Sequence, residues 1–364
     1  MNDVEHGQYG GRIPLRLNSR ERVLTTFAHE EPDRVPAWCG ASEEFWSKAK
    51  TALGLDDEAL RRFLGDDFRR VFATYGGPEP PLTHEGATYR TVFGVEREGL
   101  GYGQPIGHPL AGAALTEIQA YAWPDPNWMD VSGIRKAAAA WNGEYAILGG
   151  DWSPFWHDAI DLLGMQELMT RMYEEPESVD ALLGRLVDYY WGVSERIFDA
   201  AADVIDIFFI GNDFGTQLGP ILGEPMFRRF LQPHLARLAR LGHDYGLKVM
   251  LHCCGGVAEL LPAFIDAGID AIHAVQPCCR GMDLRELKDR YGCRLVFNGA
   301  IDSHHVLIDG TPDSVRASTR EVLEIMKPGG GYIAGASHDT ILEETPVQNV
   351  VAMFEAIREF GDYE

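Results

Sequence analysis

The chain has 364 residues, of which 45% are hydrophobic and 24% are charged, and this composition is typical of a globular protein rather than a disordered one. Its formal net charge of −23 disfavours nucleic acid and anionic membrane surfaces as partners. The N-terminus lacks the apolar core of a signal peptide, and no stretch is apolar enough to span a membrane, so we expect a cytoplasmic protein. The six cysteines do not resemble a disulfide scaffold and are expected as free thiols or metal ligands.

The first third of the chain predicts helices, one strand and a turn-rich segment. Residues 1–20 are polar and predict a flexible lead-in. Asn18 is a suitable N-cap for a helix over ERVLTTFAHEE, residues 35–38 predict a short strand, and EEFWSKAKTALG and DEALRRFLG predict two more helices. Residues 70–125 are rich in turn residues, and their TYRTVFGVERE stretch alternates as an antiparallel strand does. We interpret residues 70–125 as an insertion or lid.

From about residue 130 onward, strand patterns alternate with longer helical patterns. The apolar runs are YAILGG, VIDIFFI, KVMLHC, AIHAVQ, RLVFNGAI and GYIAGA. With residues 35–38 and one further strand in the first half, the count reaches about eight, which favours a closed barrel over an open doubly wound sheet. The sequence therefore predicts an α/β fold: a (β/α)8 TIM-type barrel with an N-terminal helical and β-hairpin elaboration, in which residues 21–364 form one domain.

Polar residues directly follow the apolar runs. Barrel enzymes carry their functional residues at the carboxyl ends of the strands. We therefore expect one shared site at this end of the barrel, to which the following residues contribute: Asp151, Asn212, Asp213, His252, Cys254, Gln276, Asn298, Asp302, Ser337 and His338.

The segment His252-Cys253-Cys254-Gly255 is the strongest candidate for a metal site. Residues i and i+2 of a strand point to the same side, so His252 and Cys254 can face the barrel mouth together while Cys253 faces away. An imidazole nitrogen and a thiolate are good zinc ligands, and Gly255 allows a sharp turn after them. The alternative is a buried histidine beside two inert thiols.

The third metal ligand is less clear, because a catalytic zinc usually takes three protein ligands and keeps one position open. His338 is the first candidate, with Asp213 and the pair Cys278-Cys279 behind it. A hydrogen-bonding pocket residue is the alternative for His338, and ordinary loop thiols are the alternative for the two cysteines.

Two tryptophans follow the YAILGG run. Trp152 and Trp156 can pack in the core, or they can form an aromatic wall that binds a flat ligand.

Several stretches, in order along nearly the whole chain, resemble the uroporphyrinogen decarboxylase superfamily and, within it, the branch of zinc-dependent, corrinoid-linked methyltransferases similar to methylcobalamin:coenzyme M methyltransferase. The resemblance implies one (β/α)8 barrel with an N-terminal elaboration. It is carried by RERVLTTFAHEEPDRVPAW, HPLAG with AYAWPDP, GNDFGTQLGP, GLKVMLHCCGGVAELLPAFIDAGIDAIHAVQP, LKDRYGCRLVFNGAID and PGGGYIAGASHDTILEETPVQNVVAMFEA.

The chain departs from both branches of this superfamily. The decarboxylases are expected to carry an arginine-containing segment, similar to RQAGRYLPEY, just after the first strand. In this chain PAWCGASEEFWSK has no arginine there to hold substrate carboxylates. The methyltransferases carry an H-x-C-G motif, which makes His252 and Cys254 zinc ligands by resemblance. Their late cysteine ligand has no counterpart in residues 334–338. Either His338 replaces it, or the site is built differently, or it has been lost.

The resemblance implies methyl transfer between a small methylated or thiol substrate and the cobalt of a corrinoid, with Zn²⁺ as Lewis acid. Asp213 or His338 would supply a proton. The sequence has no D-x-H-x-x-G corrinoid motif, so the corrinoid is expected on a partner protein. A decarboxylase or lyase on the same fold, and a non-catalytic protein that binds a corrinoid, tetrapyrrole or metal, are the alternatives, and a homodimer is left open. The residues expected to bind substrate are Trp152, Trp156, Asn212, Gln276, Asn298, Asp302 and Ser337.

Overall fold

The computed structural model describes residues 16–78, 89–99, 103–141 and 143–363. Its main sheet has seven parallel strands, and neighbouring strands in the sheet follow chain order. These strands are Phe68–Arg70, Ala146–Gly149, Ile207–Gly211, Lys248–His252, Ala271–Val275, Val296–Ile301 and Tyr332–Ala336.

Residues 35–38 join the two edges of this sheet. Ala37 pairs in parallel with Ala334, and the Trp38 amide donates to the Ala334 carbonyl at 2.9 Å. On the other side, the Asp67 amide donates to the Ala37 carbonyl at 2.9 Å. The segment therefore closes the sheet into a barrel, which confirms the fold class. Phe68–Arg70 is the strand that the apolar pattern of the first half did not locate.

Helices connect consecutive strands, as parallel pairing requires. The long helical pattern MFRRFLQPHLARLARLGHDYG forms two helices that meet at Leu231, because Pro233 is favoured in the first turn of a new helix and not in a helix interior. The helices are Ser19–Phe27, Glu43–Leu53, Asp57–Leu64, Leu115–Ala120, Ile134–Ala139, Phe155–Leu163, Met165–Glu174, Pro176–Ala201, Glu224–Phe230, Gln232–Asp244, Leu261–Asp266, Leu284–Tyr291, Pro312–Met326 and Val347–Phe360.

The helix Ser19–Phe27 closes the amino-terminal end of the barrel. It begins at the predicted N-cap, where the Asn18 side chain accepts from the Glu21 amide at 2.8 Å. Its Val23 and Phe27 pack into the barrel interior against the first residues of several strands. The opposite end of the barrel, where the strands have their carboxyl ends, is called the mouth below.

The predicted strand TYRTVFGVERE is a hairpin instead of one continuous strand. Tyr89–Arg90 pairs antiparallel with Glu96–Glu98, which pairs in turn with Gln104–Pro105. Gly94 has φ of +79°, a conformation that suits glycine and lets the chain reverse between the first two strands. The role of residues 70–125 as an insertion or lid, and the single-domain division, stay predictions. The predicted lead-in lies almost entirely outside the described residues.

None of the helices in the described parts of the chain is long and apolar enough to cross a membrane.

Candidate metal centre

The strand Lys248–His252 delivers two potential ligands to the mouth. His252 is the last residue of the strand and shares its inward face with Met250, which belongs to the barrel interior. Cys253 lies on the opposite face, where it is 1% exposed and its Sγ accepts from the Phe214 amide at 3.2 Å. Cys254 faces the mouth again, and its Sγ is 3.4 Å from Nε2 of His252.

Asp213 completes a group of three. Its Oδ1 is 3.4 Å from Nε2 of His252, and one ligand atom from each of Asp213, His252 and Cys254 lies within 4.8 Å of the other two. A tetrahedral zinc ion with bonds of about 2.0–2.3 Å separates its ligand atoms by about 3.3–3.7 Å. The two measured separations fall in this range, and the N, S and O donor set is one that zinc accepts.

Backbone contacts hold this arrangement. Oδ1 of Asp213 accepts from the Cys254 amide at 2.8 Å, and Oε1 of Gln276 accepts from the Gly255 amide at 2.8 Å. Gly255 has φ of +94°, and a Cβ on it would lie 2.7 Å from the backbone carbon of Gly215. The turn after Cys254 therefore requires glycine, both for its φ and for the close approach of the Asp213 loop.

Trp152 forms a wall of the site. Its ring packs 5.3 Å from the ring of His252. A Cβ on Gly211, the residue beside His252 in the sheet, would come within 1.9 Å of the Trp152 indole. A glycine at the end of this strand thus makes room for an aromatic ring beside the metal ligands.

A cavity of about 560 Å³ opens onto the three residues, a size suited to a small-molecule ligand. Among the described residues, its lining includes one guanidinium, that of Arg97, which is ion-paired with Asp161. The lining carboxylates are Asp158, Asp161, Asp213 and Asp339. The cavity is therefore acidic overall.

Asp213 and His252 each stabilise the charged form of the other. Burial alone would raise the pKa of Asp213, but hydrogen bonds from His157 and His252 and from the Cys254 amide hold it well below its usual range. Burial would lower the pKa of His252, but the neighbouring Cys254 sulfur and the Asp213 carboxylate raise it well above its usual value. Burial raises the pKa of Asp158 to about 7, despite its hydrogen bond from Tyr190.

The residues expected at the site separate into three sets. The first set lines the 560 Å³ cavity and consists of Trp152, Asp213, His252, Cys254 and His338. His338 is absent from the groups of described residues whose ligand atoms all lie within 4.8 Å of one another. Its Nδ1 instead lies 3.0 Å from the Thr340 carbonyl oxygen and 3.2 Å from the Thr340 amide nitrogen. Its role as a ligand stays a prediction.

The second set lines a separate cavity of about 240 Å³, which also reaches His338. Asp302 caps the helical turn after it, accepting from the His304 amide at 2.8 Å. Ser337 accepts from the Ser303 amide at 3.0 Å. The residues expected from the sequence in this cavity are Gln276, Cys278, Cys279, Asp302 and Ser337.

The third set lines neither cavity. Trp156 is 1% exposed and packs in the core, so it offers no surface for a ligand. Asn212 is fully buried. Its side-chain amide donates a hydrogen bond to the Ser153 carbonyl and accepts one from the Trp156 backbone amide. Asn298 is fully buried in the barrel interior, where Nδ2 lies 3.7 Å from the Met250 sulfur. Asp151 also lines neither cavity, and its Oδ1 accepts from the Ser153 amide at 3.0 Å. The substrate-binding roles of Trp156, Asn212 and Asn298 stay predictions.

The sequence patterns did not identify several residues in or beside the cavity. His157 lies 3.5 Å from Oδ2 of Asp213, and Arg97 reaches the cavity from the hairpin. Their positions depend on tertiary packing, and no local pattern indicates them. His273 and Asp339 could have been found, because His273 shares the inward face of its strand with Ala271 and Asp339 directly follows His338.

Known proteins match this chain over most of its length. The family model described as uroporphyrinogen decarboxylase (URO-D) matches residues 128–360. A methylated-thiol–coenzyme M methyltransferase of Methanosarcina mazei is 24% identical over 76% of this chain and 77% of its own. A uroporphyrinogen decarboxylase of Coxiella burnetii is 23% identical over 52% of this chain, and the match spans half of that relative's length.

A solved structure described as a methyltransferase from Methanosarcina mazei superposes with a TM-score of 0.67 at 20% identity, over 94% of this chain and 99% of its own. At this identity the superposition establishes the shared barrel fold. The curated relatives that match thus include both methyltransferases and decarboxylases.

Proposed function

Because the chain belongs to the uroporphyrinogen decarboxylase (URO-D) family, we propose that it is a zinc-dependent methyltransferase. It would move a methyl group between a small methylated or thiol substrate and a corrinoid that a partner protein holds. The observation that carries this proposal is the Asp213, His252 and Cys254 group, whose measured ligand separations of 3.4 Å suit tetrahedral zinc.

Asp213 is the third ligand in this proposal. The family branch uses a late cysteine, which residues 334–338 lack. Asp213 Oδ1 is already directed at Nε2 of His252 and is held there by the Cys254 amide. Three protein ligands leave one position for a substrate atom, which is the pattern of catalytic zinc sites.

A bound zinc ion supplies Lewis acidity, which lowers the pKa of a thiol or makes an alkoxide or phenolate a better leaving group. Trp152 covers one side of His252 and keeps water from that face. His338 and His157, both on the cavity wall, are placed to accept the proton that a thiol loses. A thiolate so formed would attack the methyl carbon of a methylcorrinoid substrate, and the electron pair of the carbon–cobalt bond would stay with the departing corrinoid.

The acidic cavity argues against decarboxylation of a polycarboxylate substrate. Its described lining carries four acidic side chains, of which Asp158 has a pKa of about 7, against one guanidinium, which Asp161 already pairs. An anionic substrate would have to enter against this field, in a chain whose net charge is −23. A neutral or cationic small substrate suits the same cavity.

Two measurements test the proposal. Elemental analysis of the purified protein should find one zinc per chain. Methylcobalamin with a neutral aliphatic thiol should then yield cob(I)alamin and a thioether, followed by the visible spectrum. A metal-free protein that instead releases CO2 from a porphyrinogen would overturn the proposal in favour of the decarboxylase, and tight ligand binding without turnover in either assay would favour a binding protein.

A further inference from the structure

His273 lies directly behind the candidate ligand His252. The two residues are register partners on adjacent parallel strands. Nδ1 of His273 is 3.1 Å from Nδ1 of His252, on the side of that ring away from Cys254. Two imidazole nitrogens at this distance form a hydrogen bond only when one carries a proton and the other does not.

The direction of this hydrogen bond follows from the chemistry of the ligand. Nε2 of His252 faces Cys254 and Asp213, so it is the atom that would bind the metal and must be unprotonated. A neutral imidazole then carries its proton on Nδ1. That N–H points at Nδ1 of His273, which must therefore accept it and hold its own proton on Nε2.

The neighbours of His273 hold its ring in place by packing, but packing does not explain why a polar residue lies here. The side chain is fully buried and packs 4.8 Å from the Trp38 ring and 5.4 Å from the Phe209 ring. Within the described residues, its Nε2 has no hydrogen-bond partner. An apolar side chain would fill this space without a buried unsatisfied nitrogen, so packing alone does not account for a histidine here.

A second metal ion between His252, His273 and Asp339 is the competing interpretation, because their ligand atoms also lie within 4.8 Å of one another. However, the Asp339 oxygen is 3.8 Å from Nδ1 of His273, farther away than His252. Metal-bound histidines almost always donate their other N–H to a partner, and Nε2 of His273 has none within the described residues. The hydrogen-bonded pair therefore explains the geometry better.

We propose that His273 is a positioning residue: by accepting a hydrogen bond from Nδ1 of His252, it selects the tautomer and ring orientation that present Nε2 to the metal. The inference rests on the proposed function, since it requires that His252 binds zinc. It assigns no contact with the substrate to His273.

The test compares three variants of the full-length protein. His273→Leu removes the acceptor, and His273→Asn keeps an acceptor oxygen at the position of Nδ1. Trp38→Phe alters the packing around His273 and leaves the His273 ring in place. Zinc affinity is measured by competition with a chromogenic chelator, and the visible spectrum of the cobalt-substituted protein reports ligand geometry. Circular dichroism verifies folding, and His273→Met replaces the leucine variant if that variant does not fold.

We expect His273→Leu to weaken zinc binding about 10- to 100-fold and to change the cobalt spectrum. His273→Asn should retain most of the wild-type zinc affinity, and Trp38→Phe should keep all of it. Equal zinc affinity of wild type and His273→Leu would overturn this inference and leave the proposed function intact. Two metal ions per wild-type chain, one of them lost in His273→Leu, would also overturn it. A wild-type protein that binds no zinc would instead overturn the proposed function.

Discussion

An aspartate lies at each end of the barrel, and the two differ in burial and in their hydrogen-bond partners. At the amino-terminal end, Asp67 is fully buried and accepts hydrogen bonds from Arg22, Arg34 and the Ala37 amide, at 2.8 to 2.9 Å. At the mouth, the Asp213 side chain is 37% exposed and faces two histidines and a cysteine.

The difference lies in the partners. Arginine stays protonated at any physiological pH, so the Asp67 pairs are permanent and can serve only stability. Histidine and cysteine can exchange a proton for a metal ion, so the groups around Asp213 can change between a protonated and a metal-bound form. One end of the barrel is therefore built as a fixed ion-pair network, and the other as a site that can bind.

The largest effect is expected on replacing Asp67. The change Asp67→Ala removes the buried carboxylate that pairs with Arg34 and one of the two carboxylates that pair with Arg22. It should cost about 3–5 kcal/mol of the free energy of unfolding, measured by urea denaturation. Asp213→Ala, the matched change at the mouth, should cost less, about 1 kcal/mol, because the Asp213 side chain is itself 37% exposed and water screens its pairs. Similar losses of unfolding free energy in the two variants would show that the two ends of the barrel do not differ in this way.

Asp158, on the cavity wall, provides a test by pH. Its folded-state pKa of about 7 lies above the unfolded value, so the native state holds this proton more tightly than the unfolded state. Stability from this group is present at low pH and is lost as pH rises from about 4 through 7. Asp158→Asn cannot ionise, so we expect it to match wild type near pH 4 and to be more stable than wild type by on the order of 4 kcal/mol at pH 8.

This comparison is made by urea denaturation at several pH values. The side-chain amide oxygen that Asp158→Asn introduces would still accept from Tyr190, as the Asp158 carboxyl group does. A constant stability difference between the two proteins from pH 4 to pH 8 would show that Asp158 keeps an ordinary pKa.

Cys254 and Cys253 form a matched pair for the metal site. Cys254→Ala removes a proposed ligand and should weaken zinc binding at least 100-fold, which corresponds to about 2.7 kcal/mol. Cys253→Ala should keep wild-type affinity, because that thiol faces away from the mouth. Chelator competition measures the zinc affinity of both variants. If zinc affinity depended on Cys253 instead, the metal site would lie on the opposite face of the strand from the one proposed.

The smallest effect is expected for His157, which contacts Asp213 without belonging to the proposed ligand set. His157→Gln loses the imidazole that orients the Asp213 carboxylate and should weaken zinc binding about tenfold. Isothermal titration of the metal-free protein with zinc measures the change. A loss as large as that of Cys254→Ala would make His157 a ligand itself.

Much of the fold follows from local patterns along the chain. Six apolar runs after residue 130 became barrel strands, and Asn18 caps the predicted first helix. The strand Phe68–Arg70 was not located, since only three residues form it and two of them are arginines. The split at Leu231 and the hairpin after Tyr89 depend on a proline and on turn residues that interrupt otherwise regular patterns.

The sequence by itself determined the barrel and the pairing of His252 with Cys254, because strand periodicity and i, i+2 spacing are local properties. The tertiary structure alone decided what completes the site. Asp213 comes from the loop after one neighbouring strand, and His273 comes from the neighbouring strand on the other side. His157 comes from the helix that follows a third strand. Their proximity depends on the register and closure of the barrel, to which residues far apart in the chain contribute.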